Sequence, residues 1–145
     1  MTRLNNLFPW EGTIMFNERT ALVVDDSPTS LRIMERVLQK LGFTVLTAEN
    51  GLEAVNKFCA NVIDIIIMDV MMPIVDGKTA TRVIRLIEDS ENMISTPIII
   101  WTATDEEITE KTYECGCTKI LKKPLDVVAL KQTLFELESG NLSKE

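Results

Sequence analysis

The chain of 145 residues is long enough for one domain that buries roughly 70% of the surface its unfolded form exposes, and its 46% hydrophobic content suits a single core. With 22 acidic against 15 basic residues the net charge is −7, and no basic run exceeds the pair Lys122-Lys123, which argues against direct nucleic-acid binding. There is no histidine, which excludes imidazole-dependent triads, histidine metal ligands and a phosphohistidine within this chain.

Residues 1–17, with Phe8, Trp10 and Phe16, show no clear period and lack the apolar stretch of a secretory signal; they read as an N-terminal extension of undecided role. Ala21-Leu22-Val23-Val24 reads as a strand buried on both faces that runs straight into Asp25 and Asp26. Ser27 and Pro28 offer an N-cap and a first helical residue, Leu31, Met34, Leu38 and Leu41 share one helical face, and Gly42 ends that helix. Phe43 to Thr47 is a second strand, and Asn50 caps a short helix presenting Ala54, Val55 and Phe58. The run from Asn61 to Asp69 reads as the central strand, closed by turn signals at Met72-Pro73 and Asp76-Gly77. Ala80, Val83, Ile84 and Ile87 line a third helix, followed by a polar loop from Glu88 to Thr96.

Ile98 to Trp101 is the fourth buried strand, and it delivers Thr102 to the sheet end that carries the acids. The capping-box spacing of Thr104 and Glu107 predicts the start of a fourth helix there. Thr118 to Lys122 is the fifth strand, followed by Lys123 and Pro124. Asp126 opens a last helix with Val127, Leu130, Leu134 and Leu137 on one face, and residues 140–145 form a short polar tail. Cys59, Cys115 and Cys117, an odd set, fit a reduced chain in the cytoplasm better than a disulfide framework. No apolar run approaches the roughly 18 residues of a membrane span. Five strands alternating with five helices give an α/β fold, a doubly wound parallel sheet over residues 18–139.

Four strand ends thus offer Asp25 and Asp26, Asp69, Thr102 and Lys123, and ligands of open α/β sheets gather at the carboxyl ends of the strands. Carboxylates about 4 Å apart repel by roughly 4 kcal/mol per pair at a surface-like dielectric, so the cluster calls for a counter-charge. An all-oxygen set points to Mg²⁺, with Mn²⁺ as the alternative, and Mg²⁺ commonly shares its site with a phosphate. Lys123 adds a positive charge and Thr102 a hydroxyl donor, a combination suited to a phosphoryl group on a carboxylate. Taken singly, each of these residues is as well explained as a cap, a strand-end hydroxyl or a solvated amine.

Together the motifs Val23-Val24-Asp25-Asp26-Ser27, Met68-Asp69 through Pro73 to Asp76-Gly77, Thr102-Ala103 and Lys123-Pro124 resemble the receiver domain of two-component response regulators, over about Arg19 to Glu138. The resemblance implies a flavodoxin-like sheet of strand order 2-1-3-4-5 and a stand-alone regulator like those of chemotaxis. It makes Asp69 the phospho-acceptor, taking a phosphoryl group from a phosphohistidine of a sensor histidine kinase or histidine phosphotransfer protein. It makes Asp26 a direct Mg²⁺ ligand, Asp25 one that acts largely through water, and the backbone carbonyl of Met71 a further ligand. Lys123 would pair with the phosphoryl group, Thr102 would move to hydrogen-bond it, and the Lys123-Pro124 bond would be cis. The family's switch aromatic falls at Ile120, a departure that puts an aromatic rotamer switch in doubt. Output would pass through protein contacts of the region Asp105 to Lys122, to an unknown downstream protein, from a monomer or a phosphorylation-dependent dimer. The chain would assist its own phosphorylation and dephosphorylation rather than act as an enzyme.

Two other readings compete. An aspartyl-phosphate phosphatase would use Asp69 as nucleophile but commonly needs an Asp two residues later, where this chain has Met71. A pseudo-receiver that binds partners without accepting phosphate is opposed by the presence of all five site positions. An excised receiver of a hybrid kinase differs in context, not in chemistry; Met1 and the short tail favour a protein standing alone.

Overall fold

The computed structural model describes residues 16–139, in which five strands and five α-helices alternate. They are β1 (Thr20–Val24), α1 (Pro28–Lys40), β2 (Thr44–Ala48), α2 (Gly51–Ala60), β3 (Ile65–Met68), α3 (Gly77–Ser90), β4 (Ile98–Thr102), α4 (Glu110–Tyr113), β5 (Lys119–Lys122) and α5 (Val127–Ser139). All strand pairs are parallel and the order is β2-β1-β3-β4-β5.

Alternation along the strands divides the core in two. Leu22, Val24, Ile66, Met68, Ile98 and Ile100 face one side, where Ala54 and Phe58 of α2 and Ala80 and Ile84 of α3 cover them. Ala21, Val23, Ile65, Ile67, Ile99 and Trp101 face the other, under Met34 and Leu38 of α1 and Leu130 and Leu134 of α5. A parallel sheet sandwiched between helices needs apolar residues at both parities, which is why its strands are continuous apolar runs.

Side-chain caps hold the helix starts, at Ser27, Asn50 and Asp126 as read from the sequence and also at Asp76, read there as a turn residue. Ser27 Oγ accepts from Ser30 N–H, Asn50 Oδ1 from Glu53 N–H, Asp76 Oδ1 from Thr79 N–H and Asp126 Oδ1 from Ala129 N–H. Gly42, at φ 107°, ends α1 in the left-handed conformation that a Cβ disfavours.

Several elements differ from the sequence reading. The central strand begins at Ile65, not Asn61: Val62 is 85% exposed and Asp64 turns back to accept the N–H of Thr20. The segment from Thr104 is no α-helix. Residues Asp105–Glu107 form one 3₁₀ turn without a side-chain cap from Thr104, and α4 starts later, capped by Thr109. α3 runs on to Ser90, because Glu88 is buried against Arg85 and accepts the N–H of Thr96 at 2.7 Å. Arg85 also donates to the carbonyls of Thr96 and Gly116, so one side chain ties α3 to the segments that lead into β4 and β5. Val127 stands 39% exposed rather than in the α5 core face.

Phe16, within the segment read as an extension, is buried and stacked on Phe43 with ring centroids 4.8 Å apart. Phe8 and Trp10, like the tail 140–145, lie outside the described residues. Arg19, just before β1, pairs with Glu138 in the last turn of α5, Nη2 donating at 2.6 Å. Cys59 is exposed and Cys115 and Cys117 are buried, all three free thiols.

Candidate functional site

The site forms where β1, β3, β4 and β5 end. Asp25 continues the ladder one residue past β1, its N–H donating to Ala48 O at 3.0 Å, and Asp69 does the same past β3, donating to Val24 O at 2.9 Å. The two strand ends are therefore side by side, and the acidic side chains inherit that spacing. Carboxylate oxygens of Asp25, Asp26 and Asp69 lie within 4.8 Å of one another; Asp25 and Asp69 are buried and Asp26 is exposed.

Lys123 crosses from β5 to meet them. Its backbone N–H donates to Thr102 O at 2.7 Å, which fixes the end of β5 to the end of β4. Its ammonium donates to Asp25 Oδ2 at 2.6 Å and stands 3.8 Å from Asp69 Oδ2. The other oxygens are satisfied locally, Asp25 Oδ1 by Ser27 N–H and Asp69 Oδ1 by Val70 N–H, each at 2.9 Å. Lys122 instead reaches Asp105, which separates the roles of the two adjacent lysines. The Lys123-Pro124 bond is cis. Thr102 is buried at the end of β4, its Oγ1 accepting the N–H of Thr104 at 3.4 Å. Met71 is exposed on the rim, where with Asp26, Met72 and Asp76 it lines an open depression.

The loop beyond Asp69 is tightly built. The Val75 N–H donates to Pro73 O at 2.8 Å across Ile74, a γ-turn whose central residue has φ 71°. That conformation is strained for a β-branched residue. Gly77 N–H then donates to Val70 O at 2.9 Å and draws the start of α3 against the backbone of Asp69. A Cβ on Gly77 would sit 1.9 Å from Asp69 O, so this approach needs glycine.

Three acids face one lysine, and Asp69 among them is buried. Burial pushes the Asp69 carboxyl up to about 6; the charge of Asp25 adds to this, while Lys123 and the Val70 N–H act in the opposite direction. A carboxyl raised in the folded state and ordinary in the unfolded one stabilises the fold most below the unfolded value. That contribution is lost as pH rises from about 4 through about 6. Urea unfolding of the metal-free protein is expected to show it as a fall of about 1–2 kcal/mol over this range relative to Asp69→Asn, a figure discounted for the water that still reaches the site.

One neighbour of Lys123 escaped the sequence reading. The ammonium lies 4.8 Å from the ring centroid of Trp101, the residue before Thr102. Only the size of Trp101 beside a strand-end threonine hinted at it. Among the described residues none accepts the buried indole Nε1–H of Trp101.

Comparison with known proteins agrees with this geometry. The family model described as the response regulator receiver domain matches residues 21–135. Hybrid signal transduction histidine kinase E of Dictyostelium discoideum is 33% identical over 122 residues, 83% of this chain but only 7% of the kinase. Protein PilH of Pseudomonas aeruginosa is 37% identical over 82% of this chain and 97% of its own length. Among solved structures, the CheX-CheY-BeF3-Mg²⁺ complex of Borrelia burgdorferi aligns with a TM-score of 0.75 and 26% identity, covering 84% of this chain and 90% of the other. The Saccharomyces cerevisiae complex of the phosphotransfer protein Ypd1 with the receiver domain of Ssk1 aligns at 0.79 and 25%, covering 88% and 94%.

Proposed function

The chain belongs to the response regulator receiver family, and from that premise we propose that Asp69 accepts a phosphoryl group from a phosphohistidine of a sensor histidine kinase or histidine phosphotransfer protein. The supporting observation is the placement of Lys123, bonded to Asp25 and 3.8 Å from Asp69, inside a cluster of three carboxylates.

In this reading a carboxylate oxygen of Asp69 attacks phosphorus, an O–P bond forms, and the P–N bond to the donor imidazole breaks with the electron pair returning to nitrogen. The charge on the phosphoryl oxygens meets the Lys123 ammonium, which gives up part of its bond to Asp25. The Thr102 hydroxyl, buried at the adjacent strand end, turns from Thr104 to donate to a phosphoryl oxygen, and the segment after it follows. The donor set fits Mg²⁺, or Mn²⁺ in its place: every available ligand is oxygen, and three carboxylates gather within 4.8 Å of one another. Asp25, Asp26, Asp69 and the backbone carbonyl of Met71 would hold it, and its charge would offset that of the acids and the incoming phosphoryl group. The Ssk1 receiver in complex with Ypd1 and the CheY bound to Mg²⁺ and BeF3 support the donor class and the metal.

Output passes to a downstream protein through the region Asp105 to Lys122. Ion pairs Lys78–Glu107 and Lys122–Asp105 tie the 3₁₀ turn there to α3 and β5, so movement after Thr102 re-sorts charges on an exposed surface. Ile120 is buried in the α2–α3 core, and the switch runs without an aromatic at that position. Residues 18–139 act as the receiver unit, as a monomer or a phosphorylation-dependent dimer in the cytoplasm. No described helix is long and apolar enough to cross a membrane.

Intact mass after incubation with a small-molecule phosphodonor tests the reading. One added phosphoryl group, dependent on Mg²⁺, labile to alkali and mapped to the peptide that holds Asp69, is expected. No addition from either a small donor or a phosphohistidine protein, in a folded sample that binds Mg²⁺, would leave a pseudo-receiver in its place.

A further inference from the structure

The contact between Lys123 and Trp101 has no part in the reaction as described. Accepting the reading of Asp69 and Lys123 given above, we infer that Trp101 is a positioning residue, whose indole face steers the Lys123 ammonium between Asp25 and a phosphoryl group on Asp69.

The ammonium has three N–H donors. One is committed to Asp25 at 2.6 Å, and Asp69 lies at 3.8 Å. The Trp101 ring, 4.8 Å away at its centroid, attracts the positive charge through its π-face without supplying an acceptor. The lysine is thereby held over the acids with donors free for phosphoryl oxygens. A carboxylate in the ring's place would have pinned the ammonium in one position.

Packing alone does not account for a tryptophan here. The side chain is buried among the apolar residues under α1 and α5, and among the described residues its Nε1–H finds no acceptor. A phenylalanine or leucine would fill the core with no stranded donor. Two open depressions include Trp101 in their lining. One of about 490 Å³ is lined by Ser30, Ile33, Ala103, Pro124 and Leu125 besides Trp101 and Lys123. Another of about 230 Å³ is lined by Leu121 and Ala129 among others. Trp has the strongest π-face of the aromatic side chains, which gives a reason for a tryptophan where an apolar ring of another kind would strand no donor.

The test uses Trp101→Phe and Trp101→Leu in a Trp10→Phe background, so that Trp101 is the one indole before substitution. In proton NMR of the resting protein, the ε-methylene protons of Lys123 are expected upfield of their ordinary position in the parent and back at it in Trp101→Leu. Mg²⁺-dependent phosphoryl uptake is expected to slow by on the order of five- to tenfold in Trp101→Leu and to return to within about threefold of the parent in Trp101→Phe, as a weaker π-face would give. Indole emission of the parent is expected to change on phosphorylation. Unshifted lysine protons in the parent, or equal uptake rates in parent and Trp101→Leu, would overturn the inference. A parent that takes up no phosphoryl group overturns the reading of Asp69 and removes any role in the reaction, while the lysine shift still separates that failure from failure of the ring contact.

Discussion

Asp69→Asn is expected to abolish Mg²⁺-dependent phosphoryl uptake while making the resting fold more stable. The amide keeps the shape of the side chain, and its oxygen can still accept the Val70 N–H that now reaches Asp69 Oδ1. It no longer offers a carboxylate at this position to attack phosphorus, so the mass gain on the peptide that holds residue 69 should vanish, a loss of at least about a thousandfold in rate. Stability moves the other way. Burial and Asp25 raise the carboxyl to about 6, so ionised Asp69 weakens the fold at neutral pH, and its removal should add about 1–2 kcal/mol in urea unfolding without metal. Added Mg²⁺ should narrow the difference by stabilising the wild type preferentially. A mutant that is less stable than the wild type at pH 7.5 without metal would contradict this account of the cluster.

Gly77→Ala is expected to be severe for a different reason. No unusual φ is involved; the new Cβ would meet Asp69 O at 1.9 Å and Asp69 C at 2.9 Å. Both are backbone atoms at the end of the central strand and cannot swing aside as the tip of a side chain would. Either the start of α3 lifts, losing the bond from Gly77 N–H to Val70 O, or the strand end carrying Asp69 moves. Overpacking of a dense site costs about 1–3 kcal/mol and more when backbone must yield; about 3 kcal/mol or more is expected here, a large share of the roughly 5–15 kcal/mol that holds a domain. Thermal unfolding should show a fall of roughly 10 °C. Phosphoryl uptake should slow as well, because the displaced atom belongs to Asp69 itself.

The strands and the ring of site residues were legible because both obey simple rules. Runs such as Ile65–Met68 and Ile98–Trp101 are apolar at both parities, a pattern imposed by helices on both faces, and parallel strands place their ends together. What escaped depends on how side chains pack once the fold has formed. Glu88 looked like the first residue of a polar loop, since nothing local reveals that Arg85 three residues earlier neutralises it or that Thr96 donates to it. Thr104 carried a capping-box spacing, yet the helix is capped at Thr109. The choice of Thr109 coincides with contacts of Glu107 to Lys78 and Thr112, which a local motif cannot foresee. The lysine over Trp101 likewise depends on where β4 and β5 place their last residues relative to each other.

The pairing of Arg19 with Glu138 bears on how such a unit can be joined to others. Arg19 stands before β1, and Asp25 stands about 16–20 Å away at that strand's far end, at the usual rise per residue. The two ends of the described chain therefore emerge together on the side remote from the acids. A neighbouring domain could be attached at either end, or at both, without covering Asp69. The same geometry allows the segment to be spliced into a much longer polypeptide as a cassette, and the match to 7% of a Dictyostelium kinase is of that kind. A circular permutant that links residue 139 to residue 16 by a short flexible bridge and opens the exposed 91–95 loop should keep its acid cluster intact.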